Sequence, residues 1–263
     1  MKTNRLKQAL AEGRIPVGHM IWEFGTRGIA KILESADLDF VLVDMEHSSF
    51  ELERVADLMA WFKATPVTPF VRVPQPDYHF LARVMDAGAM GVMIGNVETP
   101  ETARRIVDAV KFAPMGKRGV GLGAAHTDYV VPDPVTYFTE INRNSTVICQ
   151  IESPLGVENC ERIAVIPGVD LLWVGHFDLS QAMGIPAQFQ HPQFLDALKR
   201  VSKACHDNGK HAGIQPATLE QSGQWAELGY DVLSWGADSA VYRAALVAGV
   251  NALRAQIAAR TKA

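Results

Sequence analysis

The chain has 263 residues, with 25 basic against 29 acidic side chains and a formal net charge of −4; 48% of it is hydrophobic and 21% charged, an ordinary globular composition. No block of Lys or Arg is long enough to neutralise many phosphates, which speaks against a nucleic-acid partner, and no stretch approaches the ~20 apolar residues that span a bilayer. The first ten residues lack the apolar run of a secretory leader, and Cys149, Cys160 and Cys205 are odd in number without Cys-x-x-Cys spacing, so the reading is a reducing cytoplasm with neither a disulfide framework nor a thiolate metal cage.

Short runs rich in Val, Ile and Leu alternate with longer stretches of helical period. The runs are Ile15–Ile21, Phe40–Asp44, Thr68–Val73, Gly91–Gly95, Thr146–Ile151, Leu171–Gly175, His211–Gln215 and Asp231–Trp235. They have the composition of parallel strands buried on both faces. Between them, Glu51–Phe62, Pro100–Lys111 and Pro192–Asn208 place apolar residues every three or four positions and predict amphipathic helices. Asp77, Thr99-Pro100-Glu101, Ser153-Pro154 and Thr218 are helix-start signals, and Asn208-Gly209 and Leu228-Gly229 are stops. Eight such alternations in a chain of this length predict an α/β fold of the (β/α)8 TIM-barrel type, one domain over residues 1–263, with a doubly wound sheet as the competitor. The long connection from Phe112 to Ser145 carries Gly116, Gly119, Gly121 and Gly123, and Pro134–Arg143 predicts a helix inside it. Its glycines match no phosphate-binding pattern, so the choice there lies between a lid and a connector.

Barrel enzymes draw their chemistry from the C-terminal ends of strands. The second run ends in Asp44-Met45-Glu46-His47, the third carries Arg72, the fifth ends in Gln150-Ile151-Glu152, and the sixth leads through Gly175-His176-Phe177 to Asp178. Glu152 and Asp178 follow adjacent strands, and two converging carboxylates suit a hard divalent ion such as Mg²⁺ or Mn²⁺. Singly, Glu152 is equally a residue at a helix entrance, and Asp178 a helix cap. His47, beside Asp44 and Glu46, is a candidate base at the rim, or a surface histidine in a loop. Arg72 sits in an apolar strand and needs an anion, either a structural Asp or a substrate carboxylate and its enolate oxygen. Lys63, Lys111 and Lys117 fall in helices or loops, and Lys210 precedes its strand, so Schiff-base chemistry is disfavoured.

Asp44-x-Glu46-His47, Val71-Arg72-x-Pro74, Gln150-Ile151-Glu152 and Gly175-x-x-Asp178-Leu179-Ser180, in this order, resemble the HpcH/HpaI family of class II pyruvate aldolases. Asp86-Ala87-Gly88 and Lys117-Arg118-Gly119-Val120-Gly121 extend the resemblance over nearly the whole chain. It implies a (β/α)8 barrel that exchanges its last helix, here the Ala- and Val-rich Ala240–Ala259, within a homohexamer built as a trimer of dimers. By position, Glu152 and Asp178 would hold a divalent metal (Mg²⁺, Mn²⁺ or Co²⁺), His47 would be the base, acting through metal-bound water, and Arg72 would bind the keto acid and stabilise its enolate. Gln150 and the backbone around Phe177 would position substrate. Asp86 would raise the basicity of His47, from a neighbouring subunit, because it ends a helix that leads to the bottom of its own barrel. Trp22 resembles a tryptophan near the active site. The family's Gly-Pro-x-Asp here reads Gly175-His176-Phe177-Asp178, putting two larger side chains where the aldehyde partner is chosen. Leu122-Gly123-Ala124-Ala125-His126 likewise lacks the small polar and basic residues usual there.

The expected activity is therefore metal-dependent cleavage of a 4-hydroxy-2-oxo acid to pyruvate, or a relative such as hydroxypyruvate, plus an aldehyde, with oxaloacetate decarboxylation as a side reaction. The rivals are an oxaloacetate-type decarboxylase or an acyl-CoA carbon–carbon lyase on the same fold, the latter without an evident basic surface for nucleotide phosphates, and a non-catalytic barrel that binds a keto acid.

Overall fold

The computed structural model describes residues 2–261; Met1, Lys262 and Ala263 of the expected domain lie outside the described residues. Its strands are β1 (Val17–Ile21), β2 (Phe40–Asp44), β3 (Thr68–Val73), β4 (Gly91–Ile94), β5 (Thr146–Ile151), β6 (Leu171–Val174), β7 (His211–Ile214) and β8 (Val232–Ala237). They pair in parallel and in sequence order, and β8 closes on β1, so the sheet is a (β/α)8 barrel rather than a doubly wound sheet. The helices are α1 (Arg5–Ala11), α2 (Ile29–Glu34), α3 (Leu52–Phe62), α4 (Tyr78–Asp86), α5 (Pro100–Val110), α6 (Pro134–Asn144), α7 (Pro154–Glu158), α8 (Cys160–Ala164), α9 (His176–Ala182), α10 (Pro192–Asp207), α11 (Leu219–Glu227) and α12 (Asp238–Thr261).

The strand period of two divides each apolar run between two cores. Val41, Val43, Val71, Val73, Val147 and Ile151 face outward and pack under the helices. Phe40, Leu42, Phe70, Met93, Ile148 and Trp173 face inward and fill the barrel. Glycines make that filling possible: the ring of Phe40 lies where a Cβ on Gly18 would stand, and the ring of Trp173 does the same at Gly213. At the bottom, α1 inserts Leu6 and Ala9, while Asn4 Nδ2 donates to Asn144 O (2.7 Å) and Thr146 Oγ1 (2.9 Å).

The helix starts follow the expected chemistry. Thr99, Ser153 and Thr218 accept the N–H of Thr102, Gly156 and Gln221, each cap contributing about 1 kcal/mol. Asp77 occupies the cap position of α4 without a side-chain bond. Helix α6 appears inside the long connection as expected, and the glycine-rich part packs along α4, with Gly119 N on Tyr78 Oη (2.8 Å) and His126 Nδ1 on Asp86 O (3.2 Å). Because this connection runs from a helix into a strand, it belongs to the bottom of its own barrel and is no lid for its own mouth. Beyond Val241, α12 is exposed almost throughout, and presents Val241, Tyr242, Leu246, Val247 and Leu253 to its surroundings.

Candidate active site

The inward row of each strand changes from apolar to polar at its C-terminal end. Phe40 and Leu42 are followed by Asp44, Phe70 by Arg72, and Ile148 by Gln150, so these three side chains lie above the barrel's filling. Asp44 and Arg72 are register partners on β2 and β3. Arg72 Nε donates to Asp44 Oδ1 (2.8 Å) and Nη2 to Oδ2 (2.5 Å), and Nη1 lies 3.3 Å from Glu46 Oε2. Burial opposes the guanidinium's charge, but the bonds from Asp44 and the charges of Asp44, Glu46 and Glu152 outweigh it and hold the group more firmly protonated than usual. The structural-Asp alternative for Arg72 is thus realised, and Nη1 remains directed toward the carboxylates of the mouth.

Two residues beyond Gln150, Glu152 reaches the mouth. Its Oε2 accepts from Gln150 Nε2 and its Oε1 from the backbone N–H of Asn96, a residue held at φ 49°. Asn tolerates this left-handed conformation better than most side chains do. Burial, followed by the charges of Glu46 and Asp178, pushes the Glu152 carboxyl above its ordinary range despite these two bonds. A Cβ on Gly95 would stand 2.9 Å from both Glu152 Oε1 and Glu46 Oε1, so the two carboxylates converge over a backbone position that has room only for glycine. Gly175 makes equivalent space for Glu152 and Gln150. Glu46 Oε2 and Gln150 Oε1 are buried without a hydrogen-bond partner.

Glu46, His47, Asn96, Glu98, Glu152, Ser153 and Asp178 line a cleft of about 480 Å³ at this end of the barrel. His47 is largely exposed, its Nε2 3.9 Å from Glu46 Oε2, and its link to Asp44 runs through its backbone N–H (3.4 Å) rather than its ring. Asp178 is no cap: α9 starts at His176, with Gly175 before it, and Asp178 stands exposed in the first turn. With Asp44 committed to Arg72, Glu46, Glu152 and Asp178 give the cleft an excess of negative charge. An anionic substrate enters such a cleft only with a cation beside it.

Among the described residues no three His, Cys, Asp or Glu side chains gather into a metal cage. The oxygen-only donors, the crowded carboxylates and the unpartnered Gln150 oxygen nonetheless fit a hard divalent ion that completes its shell with other oxygens.

The remaining sequence candidates fall elsewhere. Trp22 is half-buried against the barrel's filling, its Nε1 donating to Ser239 Oγ (2.6 Å) where β8 passes into α12. His176 is turned into an aromatic cluster with Phe189 (ring centroids 5.1 Å apart) and Trp225 (5.4 Å), while Phe177 is exposed. Neither lines the cleft. Asp86 ends α4 at the opposite end of the barrel from His47 and is paired there with Arg118 Nη2 (2.6 Å). No lysine lines the cleft, and Lys111 is spent on Asn142 O (2.8 Å) and Ser145 O (2.7 Å). What sequence reasoning left unassigned is Glu46 and the glycine pair. Glu46 shares the inward parity of Asp44, and Gly95 and Gly175 stand on the same parity as Met93 and Trp173, which is the signal that marks them.

The HpcH/HpaI aldolase/citrate lyase family model matches residues 20–245. A 5-keto-4-deoxy-D-glucarate aldolase of Escherichia fergusonii is 33% identical over 242 residues, 91% of this chain and 93% of that protein. A hydroxypyruvate/pyruvate aldolase of Deinococcus radiodurans is 32% identical over 240 residues, 90% and 85% of the two chains. The crystal structure of an HpcH/HpaI aldolase from Desulfitobacterium hafniense superposes with a TM-score of 0.90 at 32% identity, covering 95% of this chain and 96% of that one. The barrel, the motifs at its strand ends and these matches over most of the length place the chain in the HpcH/HpaI aldolase/citrate lyase family.

Proposed function

We propose that the chain is a class II aldolase, a divalent-metal-dependent carbon–carbon lyase that cleaves 4-hydroxy-2-oxo acids to pyruvate or hydroxypyruvate plus an aldehyde and catalyses the reverse addition. The observation that carries this reading is the Arg72–Asp44 pair set beside the Gln150-oriented Glu152 at the edge of a carboxylate-lined cleft. Glu152 and Asp178 would hold the metal (Mg²⁺, Mn²⁺ or Co²⁺), which supplies Lewis-acid polarisation of the 2-oxo group.

Arg72, preorganised by Asp44, binds the anionic end of the substrate and stabilises the negative charge that develops on the keto oxygen. His47 takes the proton of the C4 hydroxyl. The C3–C4 bond then breaks, C4 leaves as the aldehyde carbonyl, and the bonding pair moves into the C2–C3 enolate, whose protonation at C3 gives pyruvate. In the reverse direction the same imidazole returns its proton to the new hydroxyl. Gln150 and the backbone around Phe177 position the substrate, and Trp22 and His176 shape the surroundings from behind. The enolate is also that of oxaloacetate decarboxylation, which is the expected side reaction.

Asp86 would act on the His47 of a second copy, since its own lies at the other end of the barrel. The apolar residues exposed on α12 support packing of that helix on another subunit of a homohexamer. One domain over residues 1–263 and a reducing cytoplasm complete the reading; Cys149, Cys160 and Cys205 are free and buried, and among the described residues no helix is long and apolar enough to cross a membrane.

The test is pyruvate release from a racemic 4-hydroxy-2-oxo acid by chelator-treated protein, before and after addition of Mg²⁺, Mn²⁺ or Co²⁺, with borohydride trapping in parallel. Metal-restored turnover without a trapped adduct is expected. Metal-independent turnover with a trapped lysine overturns the mechanism, and absence of turnover across chain lengths overturns the activity.

A further inference from the structure

The turn that leaves β1 at the mouth is fastened to the start of α12. Asp238 Oδ2 accepts the backbone N–H of Glu23 (3.0 Å) and of Phe24 (2.7 Å), and its Oδ1 accepts that of Ser239 (2.7 Å). Ser239 Oγ in turn accepts Trp22 Nε1–H (2.6 Å), and the Phe24 ring meets Tyr242 edge to face with centroids 5.6 Å apart. Asp238 is only 5% exposed, so these backbone donors replace the water that its carboxylate gives up on burial.

An irregularity in the sheet brings Asp238 to this place. Gly18 pairs with Ser234 but Met20 with Ala237, so β8 spends three residues where β1 spends two, and Gly236 takes φ 62° within that stretch. The extra residue returns Ala237 to the inner cluster and leaves Asp238, directly after it, beside the end of β1. A bulge of this kind re-aims the side chains that follow it.

The fastening holds one side of the mouth. Ile21 is the register partner of Val43, so Trp22 follows at the level of Asp44 on the neighbouring strand. Trp22 shares the inward parity of Met20 and packs on the same inner cluster, and the Met20 sulfur lies 3.9 Å from Arg72 Nη2. Glu152 and Asp178 enter from β5 and α9 and take no part in these contacts.

We propose, resting on the aldolase reading, that Asp238 and Ser239 are positioning residues for the 2-oxo acid: they clamp the β1–α2 turn to the first turn of α12 and so hold Trp22 as a fixed wall on the Arg72 side of the mouth. Displacing that first turn would displace Trp22 with it. The clamp acts on binding of the 2-oxo acid and leaves the Glu152 side untouched.

The test compares the parent chain with Asp238→Ala, Ser239→Ala and Ser239→Thr by three readouts. Deuterium uptake of residues 22–25 reads the clamp without any activity, Mn²⁺ affinity by electron paramagnetic resonance reads the other side of the mouth, and solvent exchange of the pyruvate methyl protons with Mg²⁺ gives KM and kcat without an aldehyde. Asp238→Ala should speed uptake in that segment and raise the pyruvate KM about tenfold, with kcat kept within about twofold and Mn²⁺ affinity unchanged. Ser239→Ala, which leaves the backbone bonds of Asp238 in place, should raise KM about threefold, and Ser239→Thr, which keeps the hydroxyl, should restore it. An unchanged KM in a variant whose segment is released overturns the proposal, as does a fall of kcat and Mn²⁺ affinity together with the rise in KM. A parent chain that exchanges no pyruvate protons refutes the aldolase reading; calorimetric titration of the same variants with pyruvate then decides, and absent or equal affinities overturn the proposal.

Discussion

Asp44 and Arg72 face each other at the same level of adjacent strands, and one carboxylate takes both Nε–H and Nη2–H of the guanidinium inside the mouth. The pair is planar and two-pronged, so it fixes the plane of Arg72 as well as its position. In the proposed mechanism Arg72 would therefore meet substrate already oriented, and Asp44 would act as a positioning residue, since its contact with His47 is to the backbone N–H and not the ring.

Because both partners are buried, removing one leaves a bare charge. Asp44→Ala should lower stability by about 3–5 kcal/mol, and the double variant Asp44→Leu with Arg72→Met should recover most of that loss while remaining inactive. Urea unfolding of the single and double variants measures the coupling; a double variant no more stable than the single would show that the pair does not act as a unit.

The two carboxylates that flank Gly95 depend on space that Gly95 and Gly175 leave open. Gly175→Ala should push Glu152 off its bond with Gln150, weaken Mn²⁺ binding about tenfold or more, and cost little stability, since the φ of −80° at this position suits alanine. Mn²⁺ titration followed by electron paramagnetic resonance reads the affinity, and unfolding midpoints read the stability.

The roles of His47 and Arg72 separate by reaction. Arg72→Ala should suppress both aldol cleavage and solvent exchange of the pyruvate methyl protons, while His47→Ala should suppress cleavage more strongly than exchange. Proton exchange by NMR alongside pyruvate release distinguishes them, and equal losses in the two assays would contradict the division.

His176 gives the fold a built-in acid sensitivity. Burial among Phe177, Phe189 and Trp225 pushes its imidazole down to about 4, below the value near 6.5 that it regains on unfolding. Between these two values the unfolded chain takes up a proton that the folded one refuses. The contribution is thus fully present above about pH 6.5 and lost as pH falls toward 4, on the order of 3 kcal/mol. Unfolding free energies across that window should fall less steeply in His176→Phe than in the parent chain; identical slopes would place the sensitivity elsewhere.

Much of this architecture is written locally. The runs at Phe40–Asp44, Thr68–Val73 and Thr146–Ile151 coincide with strands, because parity and apolar composition are properties of five or six consecutive residues. The expected Asp231–Trp235 run is displaced to Val232–Ala237, where Gly236, at φ 62°, and an irregular register against β1 carry the strand beyond its apolar stretch. The sites are less legible where they depend on distant partners. The direction of His176 is decided by Phe189 and Trp225, and the partner of Asp86 is Arg118, on a segment 32 positions away. Glu46 was visible inside its motif, yet only the convergence of β2, β4 and β5 brings it against Glu152.

The aromatic filling of the barrel, with Phe40 seated over Gly18 and Trp173 over Gly213, leaves no passage along its axis. The mouth is a blind alley with one doorway. On the proposed mechanism, a 2-oxo acid resting deepest, against Arg72, would arrive first and depart last, so the packing over two glycines far below the reacting atoms would set the order in which the 2-oxo acid and the aldehyde come and go.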